Sequence, residues 1–251
     1  MKFDQSLAGD YDDLPEGLSQ QERKAWIYDC FIKDRYRTIY GVDENLGRVL
    51  DYLDEHHLAE DTLILYTSDH GYFLGEHGWY DKRFMYEPAI RIPLVACYPR
   101  LCPSGQVADE MVMNVDFAPT ILDFAGVPIP EGMQGKSLRP LMDGKSPDDW
   151  RQSVYYAYYE NSWELYGKGE EAMAEPYRYF TPHRVGPHRG VRTERFKLIE
   201  YYTEGDYWEL FDLHEDPNEL KNLYDLPTYA ETVAHLKQEL MRLRQQYNDL
   251  E

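Results

Sequence analysis

The sequence predicts an α/β fold: a partial, mainly parallel sheet covered by helices, followed by a small antiparallel β subdomain with a C-terminal helix. Helical patterns alternate with unbroken apolar runs in the first part of the chain, which is typical of parallel sheets. Tyr-rich runs separated by turn residues fill much of the second part, and an amphipathic pattern closes it. We therefore predict two domains, residues 1–145 and residues 146–251.

The first predicted element is a long helix. Ser19 followed by Glu22 has the spacing of a capping box, so we expect a helix to begin there. Apolar residues then recur at helical spacing from Ile39 to Leu53. This pattern predicts one helix, or two with a break, ending near His57. The residues before Ser19 have no apolar periodicity and are expected to form a loop.

Two apolar runs predict the strands of the first domain. Residues 62–67 are unbroken in apolar character, as is typical of a strand buried on both faces. Residues 91–98 form the second run, with Pro93 near its start, where a missing N–H is tolerated. Asp116 is expected to cap a helix that ends before Gly126, a residue suited to a left-handed helix end.

The part of the chain after Pro140 predicts the second domain. Residues 153–159, 190–202 and 207–213 are expected to be strands joined by short turns, and therefore antiparallel. The irregular stretch 161–187 is long enough to be a functional or mobile loop. The apolar stripe of the closing helix is Tyr229, Val233, Leu236, Leu240 and Leu243.

Composition excludes several classes of protein. The formal net charge of −20 repels phosphate backbones, so nucleic acid is not an expected partner. A hydrophobic content of 43% allows a real core. No run reaches the roughly 18 apolar residues of a membrane span, and Met1 is not followed by a secretory leader. Cys30, Cys97 and Cys102 form neither a disulfide framework nor a C-x-x-C metal pattern. The cellular location is left open.

The segment after the first strand carries the residues best suited to chemistry. Asp69 and His70 follow residues 62–67 directly, at the sheet edge where α/β proteins bind ligands. A carboxylate beside an imidazole is a suitable pair of ligands for a divalent cation. Lys82 adds a positive charge twelve positions after His70. Since a hard cation takes about six donors, other ligands must come from elsewhere. These residues predict an anion held between a metal and a lysine.

Each candidate residue also has a structural alternative. The Asp69–His70 pair could be a cap, and Lys82 could be an ordinary surface lysine. His77 is expected either to face the substrate or to stabilise its own turn. His188 and Arg189 precede the strand that begins near Gly190, and from there they could reach the substrate from the second domain.

Several motifs occur in an order that closely resembles the sulfatase family of the alkaline-phosphatase superfamily. The first group is Ser68–Gly71, Gly75–Gly78, Asp81–Arg83, Tyr86–Glu87 and Arg91–Leu94. Residues 40–47 and 115–120 resemble family helices, and residues 190–199, 209–213 and 216–217 are similar to the family's C-terminal subdomain. The likeness extends from about Arg35 to Leu223.

The resemblance implies roles for the candidate residues. Asp69 and His70 would bind a divalent cation, with Ca²⁺ expected and Mn²⁺ as the alternative. Lys82 would bind the sulfate and stabilise charge on the leaving oxygen. The family's nucleophile is a formylglycine hydrate made from Cys or Ser in a C/S-x-P-x-R motif. That motif is absent here, as is the family's first Asp-Asp metal pair, and in Cys97-Tyr-Pro-Arg100 the arginine comes one residue early.

The resemblance therefore predicts the C-terminal half of a sulfatase, inactive by itself, with a sulfated carbohydrate or a small sulfate ester as substrate. One alternative is a phospho- or phosphonate-ester hydrolase of the same superfamily. Another is a non-catalytic module that binds a sulfated glycan or a partner chain. Half a sheet leaves an unpaired edge and an uncovered apolar face. We therefore expect oligomers, or pairing with a complementary N-terminal half.

Overall fold

A computed structural model describes residues 14–160, 185–202 and 207–250, and it confirms the α/β class. Most of the predicted functional loop, residues 161–184, lies outside the described residues, as does most of the predicted N-terminal loop. The helices are α1 Gln20–Glu55, α2 Glu87–Ile90, α3 Phe117–Phe124, α4 Arg139–Met142 and α5 Ala230–Gln246. The strands are β1 Ile64–Thr67, β2 Phe73–Leu74, β3 Tyr80–Asp81, β4 Leu94–Cys97, β5 Ser153–Tyr158, β6 His188–Thr193, β7 Phe196–Tyr201 and β8 Tyr207–Asp212.

Helix α1 is unbroken and begins with the predicted capping box. The Glu22 carboxylate accepts the Ser19 N–H at 2.9 Å, and the Ser19 hydroxyl accepts the Glu22 N–H at 3.4 Å. Only the first part of the helix buries large apolar side chains, namely Ile27 and Phe31. Further along, its apolar stripe is Ile39, Val42, Leu46, Val49, Leu50 and Leu53, and we call this set the α1 stripe. Four members of the α1 stripe are 39–58% exposed.

No helix in the described ranges combines the length and the apolar character that a membrane crossing requires.

Strands β1 and β4 pair antiparallel, with Leu65 opposite Ala96 and Tyr66 opposite Val95. The prediction of a mainly parallel sheet is therefore wrong for these two strands. Between them the chain folds into the β2–β3 hairpin and the one-turn helix α2. A parallel pair needs a crossover, usually a helix, that carries the chain back to the first end of the sheet, and this connection contains no such helix.

The expected burial of residues 62–67 on both faces is also wrong. Leu94 and Ala96 face a cluster that includes Leu141 of α4, so the inner face of the β1–β4 pair is covered. On the outer face, Tyr66 is 37% exposed and Val95 is 60% exposed. The described residues supply cover for one face of this pair only.

Helix α3 begins after Asp116 and ends before Gly126, as predicted, but it lacks the predicted side-chain cap. Gly126 follows its end with φ +68°, the left-handed conformation that glycine favours. The Asp116 side chain does not cap the helix. Instead, the buried Asp116 carboxylate accepts the Met113 N–H at 2.7 Å, the Lys136 N–H at 2.8 Å and Arg151 Nη2 at 2.6 Å. The arginine is therefore a better partner for this buried charge than the helix terminus.

The second region forms the predicted antiparallel sheet, with β5, β6, β7 and β8 adjacent in chain order. The run predicted as one strand over residues 190–202 is in fact two strands, β6 and β7. A tight turn separates them, in which the Thr193 hydroxyl accepts the Phe196 N–H at 2.9 Å. This side-chain bond gives the backbone an alternative to a continuous strand.

The β5–β8 sheet is covered on both faces. On one face, α5 packs against Val191, Leu198 and Leu210. On the other face, Ile199 and Phe211 pack against side chains from the β2–α2 segment. That second cluster is formed by Phe73, Met85, Tyr86, Ala89, Ile199, Phe211 and Leu213. The domain boundary at residues 145 and 146 stays a prediction, although this cluster joins residues from both sides of it.

A buried ionic network also joins the two regions. Lys197 of β7 is fully buried, and its ammonium lies 2.8 Å from a Glu87 oxygen and 2.6 Å from a Glu219 oxygen. The second Glu219 oxygen accepts the Glu87 N–H at 2.6 Å. Burial opposes ionisation of Glu87, but Lys197 and Arg192 outweigh it and hold the Glu87 pKa below its ordinary value. Burial raises the pKa of Glu219. The network fixes α2 to the β5–β8 sheet.

Candidate anion and metal site

Asp69 and His70 lie just beyond the end of β1, where the sequence placed them. The His70 Nδ1 atom is 2.7 Å from the Gly71 carbonyl oxygen. Because a carbonyl only accepts, Nδ1 carries the proton and Nε2 is left with its lone pair. His70 Nε2 lies 3.5 Å from Asp69 Oδ2, so an imidazole nitrogen and a carboxylate oxygen converge on one point.

This pair fits part of a divalent cation site. Two donors each about 2.3 Å from one cation are separated by roughly 3 to 4 Å, which agrees with the observed gap. The Asp69 side chain is 85% exposed, and that of His70 is 37% exposed, so a cation can reach both. No group of three or more His, Cys, Asp or Glu residues suited to a metal occurs within residues 14–160, 185–202 and 207–250. The pair supplies two of about six donors.

Gly71 fixes the position of this pair by close approach to α2. Its N–H donates to the Ala89 carbonyl at 2.8 Å. A Cβ at Gly71 would lie 2.2 Å from the Pro88 carbonyl oxygen, closer than any real contact. Glycine is therefore required here for space. The backbone of α2 thus holds the carbonyl that sets the His70 tautomer.

Lys82 lies in a loop of unusual backbone conformation directly after β3. Its neighbours Asp81 and Arg83 have φ angles of +77° and +100°, a region that residues with side chains rarely adopt. One oxygen of Asp81 is 3.2 Å from the Lys82 ammonium, and the other is 2.7 Å from Arg83 Nη1. A single carboxylate therefore holds two cationic side chains close together.

The structure brings the predicted metal pair and the predicted lysine to one cleft of about 290 Å³. Asp69 and His70 lie on its wall together with Lys82. The same cleft is also lined by Arg83, Met85, Ala89, Ile90, Ile92, Val112, Met113, Asn114, Val154, Tyr155 and Tyr156. A polar end beside an apolar wall suits a small polar ligand with one charged group. The roles assigned to Asp69, His70 and Lys82 remain predictions.

The lining residues that the sequence did not predict include the polar side chains of Arg83, Asn114 and Tyr156. The Tyr156 hydroxyl donates to the Arg83 carbonyl at 2.6 Å, so β5 holds the lysine loop from the side. Burial raises the pKa of Tyr156 to about 12, which keeps this hydroxyl protonated as a donor. Arg83 could have been found as the neighbour of Lys82. Nothing in the sequence marks Asn114 or Tyr156.

His77 lies in a separate hollow that Arg91 and Asn218 also line. Its ring stacks on Trp79 at 5.4 Å and meets the edge of Tyr86 at 4.9 Å. Burial lowers the pKa of His77, against the opposing effects of the Asn218 backbone and of nearby acids. These contacts agree with the alternative of a turn-stabilising histidine. The predicted substrate contact of His77 is untested.

His188 is fully buried and does not line the cleft. Its Nδ1 is 2.9 Å from the Gly186 carbonyl oxygen, and its ring lies 5.1–6.1 Å from four aromatic rings, those of Phe84, Tyr156, Tyr158 and Tyr201. Burial lowers the pKa of His188 to about 4, so the ring is neutral at physiological pH. The geometry gives His188 a packing role, and its predicted contact with substrate has no support here.

Arg189 is likewise engaged away from the cleft. Its Nε donates to Glu200 at 2.6 Å, and its guanidinium lies 4.5 Å from the centre of the Tyr202 ring. Its side chain is 13% exposed. The predicted substrate contact of Arg189 stays a prediction, because the described part of the cleft does not include it.

Known proteins resemble this chain over most of its length. The family model described as N-sulphoglucosamine sulphohydrolase, C-terminal, matches residues 75–171 and 164–246. An N-acetylglucosamine-6-O-sulfatase of Bacteroides thetaiotaomicron is 44% identical over 90% of this chain and 38% of its own length. An arylsulfatase of Clostridium perfringens is 29% identical over 82% of this chain and 38% of its own length.

Solved structures give the same result. A protein in complex with its substrate D-glucosamine-2-N,6-O-disulfate superimposes with a TM-score of 0.82 at 41% identity, over 95% of this chain and 44% of that one. A phosphonate monoester hydrolase from Silicibacter pomeroyi superimposes with a TM-score of 0.70 at 31% identity, over 83% of this chain and 40% of that one.

Together these matches place the chain among the hydrolases of the alkaline-phosphatase superfamily. Within that superfamily it belongs to the sulfatase family and corresponds to the family's C-terminal region. The predicted resemblance is thereby confirmed. Sulfatases generally depend on a divalent cation and a formylglycine. The chain spans about 38% of the length of the curated relatives named above.

Proposed function

We propose that this chain provides the C-terminal half of a sulfatase active site, which binds the sulfate ester of a carbohydrate. The observation that carries this proposal is the common cleft of Asp69, His70 and Lys82. Two matches support an amino sugar as the carbohydrate, since one is to a protein named an N-acetylglucosamine-6-O-sulfatase and one is to a structure that holds D-glucosamine-2-N,6-O-disulfate. A small sulfate ester is the wider alternative.

Each residue of the cleft has a defined task in this proposal. Asp69 Oδ2 and His70 Nε2 would hold the cation, expected to be Ca²⁺ with Mn²⁺ as the alternative. When bound, the cation would neutralise the sulfuryl oxygens as a Lewis acid. Lys82 would bind the sulfate and stabilise negative charge on the leaving oxygen, in a half-buried position where a charge acts more strongly than in water. Ile90 and Ile92, which are only partly buried, would pack against the sugar and exclude water.

Hydrolysis would require a second polypeptide region, because the C/S-x-P-x-R motif does not occur in this sequence. The α1 stripe and the outer face of the β1–β4 pair are the surfaces that such a region would cover. Pairing between copies of this chain would cover the same surfaces. We therefore expect the isolated chain to bind a sulfated sugar without turning it over.

Calorimetric titration of the isolated chain tests the site. With Mn²⁺ or Ca²⁺ present, glucosamine 6-sulfate should bind, and Lys82→Ala should weaken that binding at least tenfold, since a charge-assisted contact is lost. Asp69→Asn should weaken metal binding first and sugar binding as a consequence. Lys221→Ala, which removes an exposed lysine outside the cleft, is the matched control. Unchanged sugar binding in Lys82→Ala would count against the site.

Size-exclusion chromatography and thermal melting test the need for a complementary half. The isolated chain should elute as oligomers, and co-expression with the N-terminal half of the Bacteroides thetaiotaomicron relative should give a heterodimer with sulfatase activity. A monodisperse monomer with one cooperative melting transition would contradict the expectation that exposed apolar surfaces make the isolated chain associate. A heterodimer that binds the sugar but never hydrolyses it would instead favour a non-catalytic sulfated-glycan module.

A phosphonate-ester hydrolase is the second candidate, supported by the superposition on the Silicibacter pomeroyi enzyme. Both activities would use a cation beside a lysine, so the ligand has to discriminate between them. The same titration with a phosphonate monoester decides the matter. Tighter binding of the phosphonate than of the sulfated sugar would favour this candidate over a sulfatase.

A further inference from the structure

Arg83 occupies a backbone conformation that is unfavourable for an arginine. Its φ angle is +100°, in a region that glycine adopts without strain and that is strained for other residues. Such strain persists where the surroundings over-determine it, and it often marks functional positions. A glycine would follow the same backbone path without this cost, so the backbone gives no reason for an arginine here.

The Arg83 side chain lies at the cleft, beside the lysine. It forms part of the wall that Lys82 also lines, and 26% of the side chain is exposed. The Asp81 carboxylate pairs with both cations, at 3.2 Å from Lys82 and 2.7 Å from Arg83. Since two positive charges share one negative charge, the loop Asp81–Arg83 has a net positive charge. Lys82 and Arg83 of this loop line the cleft in which a ligand would bind.

Contacts from β5 hold Arg83 in place. The Tyr156 hydroxyl donates to its carbonyl at 2.6 Å. The Arg83 charge also lowers the pKa of Tyr156 and of Tyr158, against the larger effect of burial. The arginine is therefore anchored at its backbone by one strand and at its side chain by Asp81. Little side-chain freedom remains to be lost when a ligand binds, which favours affinity.

We propose that Arg83 is a second anion-binding residue of the cleft, which recognises a second anionic group on a substrate held by Lys82 through its first sulfate. This inference rests on the proposed function. The planar guanidinium forms paired hydrogen bonds with sulfate or carboxylate oxygens. The ligand class is thus a sugar with two anionic groups, the second being either a sulfate or a carboxylate. Arg83 makes the site prefer such sugars over singly sulfated ones.

The test compares ligands on the isolated chain with Mn²⁺ present. Glucosamine 6-sulfate carries one anionic group, glucosamine N,6-disulfate carries two, and a 6-sulfated glucosamine linked to a uronic acid carries a carboxylate as the second. Wild type should bind at least one of the doubly anionic ligands about tenfold more tightly than the singly sulfated one, the factor expected for one charge-assisted contact. The ligand with the greater gain identifies the second group.

The variant Arg83→Gly should remove that preference, so that its affinities for the singly and the doubly anionic ligands differ by less than about twofold. Its melting temperature should be equal to or higher than that of wild type, because glycine relieves the positive φ. Arg83→Lys keeps the charge but not the planar fork, so it should retain only part of the preference. Lys82→Ala should weaken binding of all three ligands.

Distinct results would overturn the two proposals. A preference for doubly anionic ligands that survives in Arg83→Gly overturns the role of Arg83 and leaves the sulfatase site intact. Equal losses for all three ligands in Arg83→Gly, together with a lower melting temperature, indicate a purely structural arginine and also overturn it. Binding of none of the ligands by wild type overturns the proposed sulfate site itself, and the role of Arg83 with it.

Discussion

The β5–β8 sheet and the β1–β4 pair come from similar apolar runs but have opposite environments. The first is covered on both faces, by α5 on one side and by the β2–α2 segment on the other. The second leaves Tyr66 and Val95 exposed on its outer face. The sequence predicted that residues 62–67 would be buried on both faces. Burial therefore depends on which surfaces are available to cover a strand as much as on the strand itself.

The helices of the two regions differ in the same way. Leu236, Leu240 and Leu243 of α5 are at most 3% exposed, whereas the α1 stripe has equally apolar residues at helical spacing and remains largely open. Each fully buried side chain of this size stabilises a fold by about 1.5–3 kcal/mol, and an exposed one contributes little. The buried apolar side chains of the C-terminal region therefore stabilise the isolated chain, whereas the apolar side chains of the α1 stripe stay exposed and contribute little.

The largest expected loss of stability comes from a substitution in the ionic network that joins the two regions. Lys197→Met leaves Glu87 and Glu219 buried without their shared cation, so the free energy of unfolding should fall by about 3–5 kcal/mol. Urea titration measures the change. Lys221→Met, at an exposed position, should stay within about 0.5 kcal/mol of wild type. A similarly small effect of Lys197→Met would show that the network contributes nothing to folding.

A matched pair of core and surface variants tests the comparison directly. Leu240→Ala in α5 opens a cavity against the sheet and should cost about 3 kcal/mol. Ile39→Ala in the α1 stripe, at a position 58% exposed within one chain, should cost less than about 0.5 kcal/mol when the chain is dilute enough to be monomeric. Urea titration of the isolated chain would measure both changes in the free energy of unfolding. A large cost for Ile39→Ala would mean that the α1 stripe is already covered in solution.

The buried histidine gives the C-terminal sheet a pH dependence. The pKa of His188 is about 4 in the folded state and about 6.5 when unfolded, so only the unfolded state takes up a proton between these values. Its contribution to stability is complete above about pH 6.5 and declines as pH falls toward 4, by about 3 kcal/mol in all. His188→Gln should flatten this decline in urea titrations at several pH values, whereas His214→Gln, at an exposed position, should leave it unchanged.

The smallest expected effect concerns the single hydrogen bond between β5 and the lysine loop. Tyr156→Phe removes the donor to the Arg83 carbonyl and should lower the free energy of unfolding by about 1 kcal/mol. Ligand affinity should fall as well, because the loop that carries Lys82 is less firmly held. Thermal melting and calorimetry with glucosamine 6-sulfate measure the two changes. A loss of stability without any change in affinity would show that this hydrogen bond does not affect ligand binding in the cleft.

Parts of the candidate site were predictable because they depend on neighbouring residues in the chain. Asp69 and His70 follow a strand directly, and this local order alone places them at a sheet end. His188 shows the limit of that reasoning, since its position near the predicted substrate edge did not reveal that four aromatic rings would surround it. Tyr156 is a cleft residue that local order could not identify. It lines the cleft and contacts Arg83, which is distant in the sequence.

The sequence by itself determined the elements: the capped helix α1, the strands, the amphipathic α5 and the order of motifs that identifies the family. These follow from local propensity, periodicity and spacing, which act over a few residues. Only the tertiary structure decided that β1 and β4 run antiparallel, which faces are covered, and that Arg83 shares a carboxylate with Lys82. Those features depend on contacts between distant segments, whose free energy is set by packing and burial and cannot be read from local pattern.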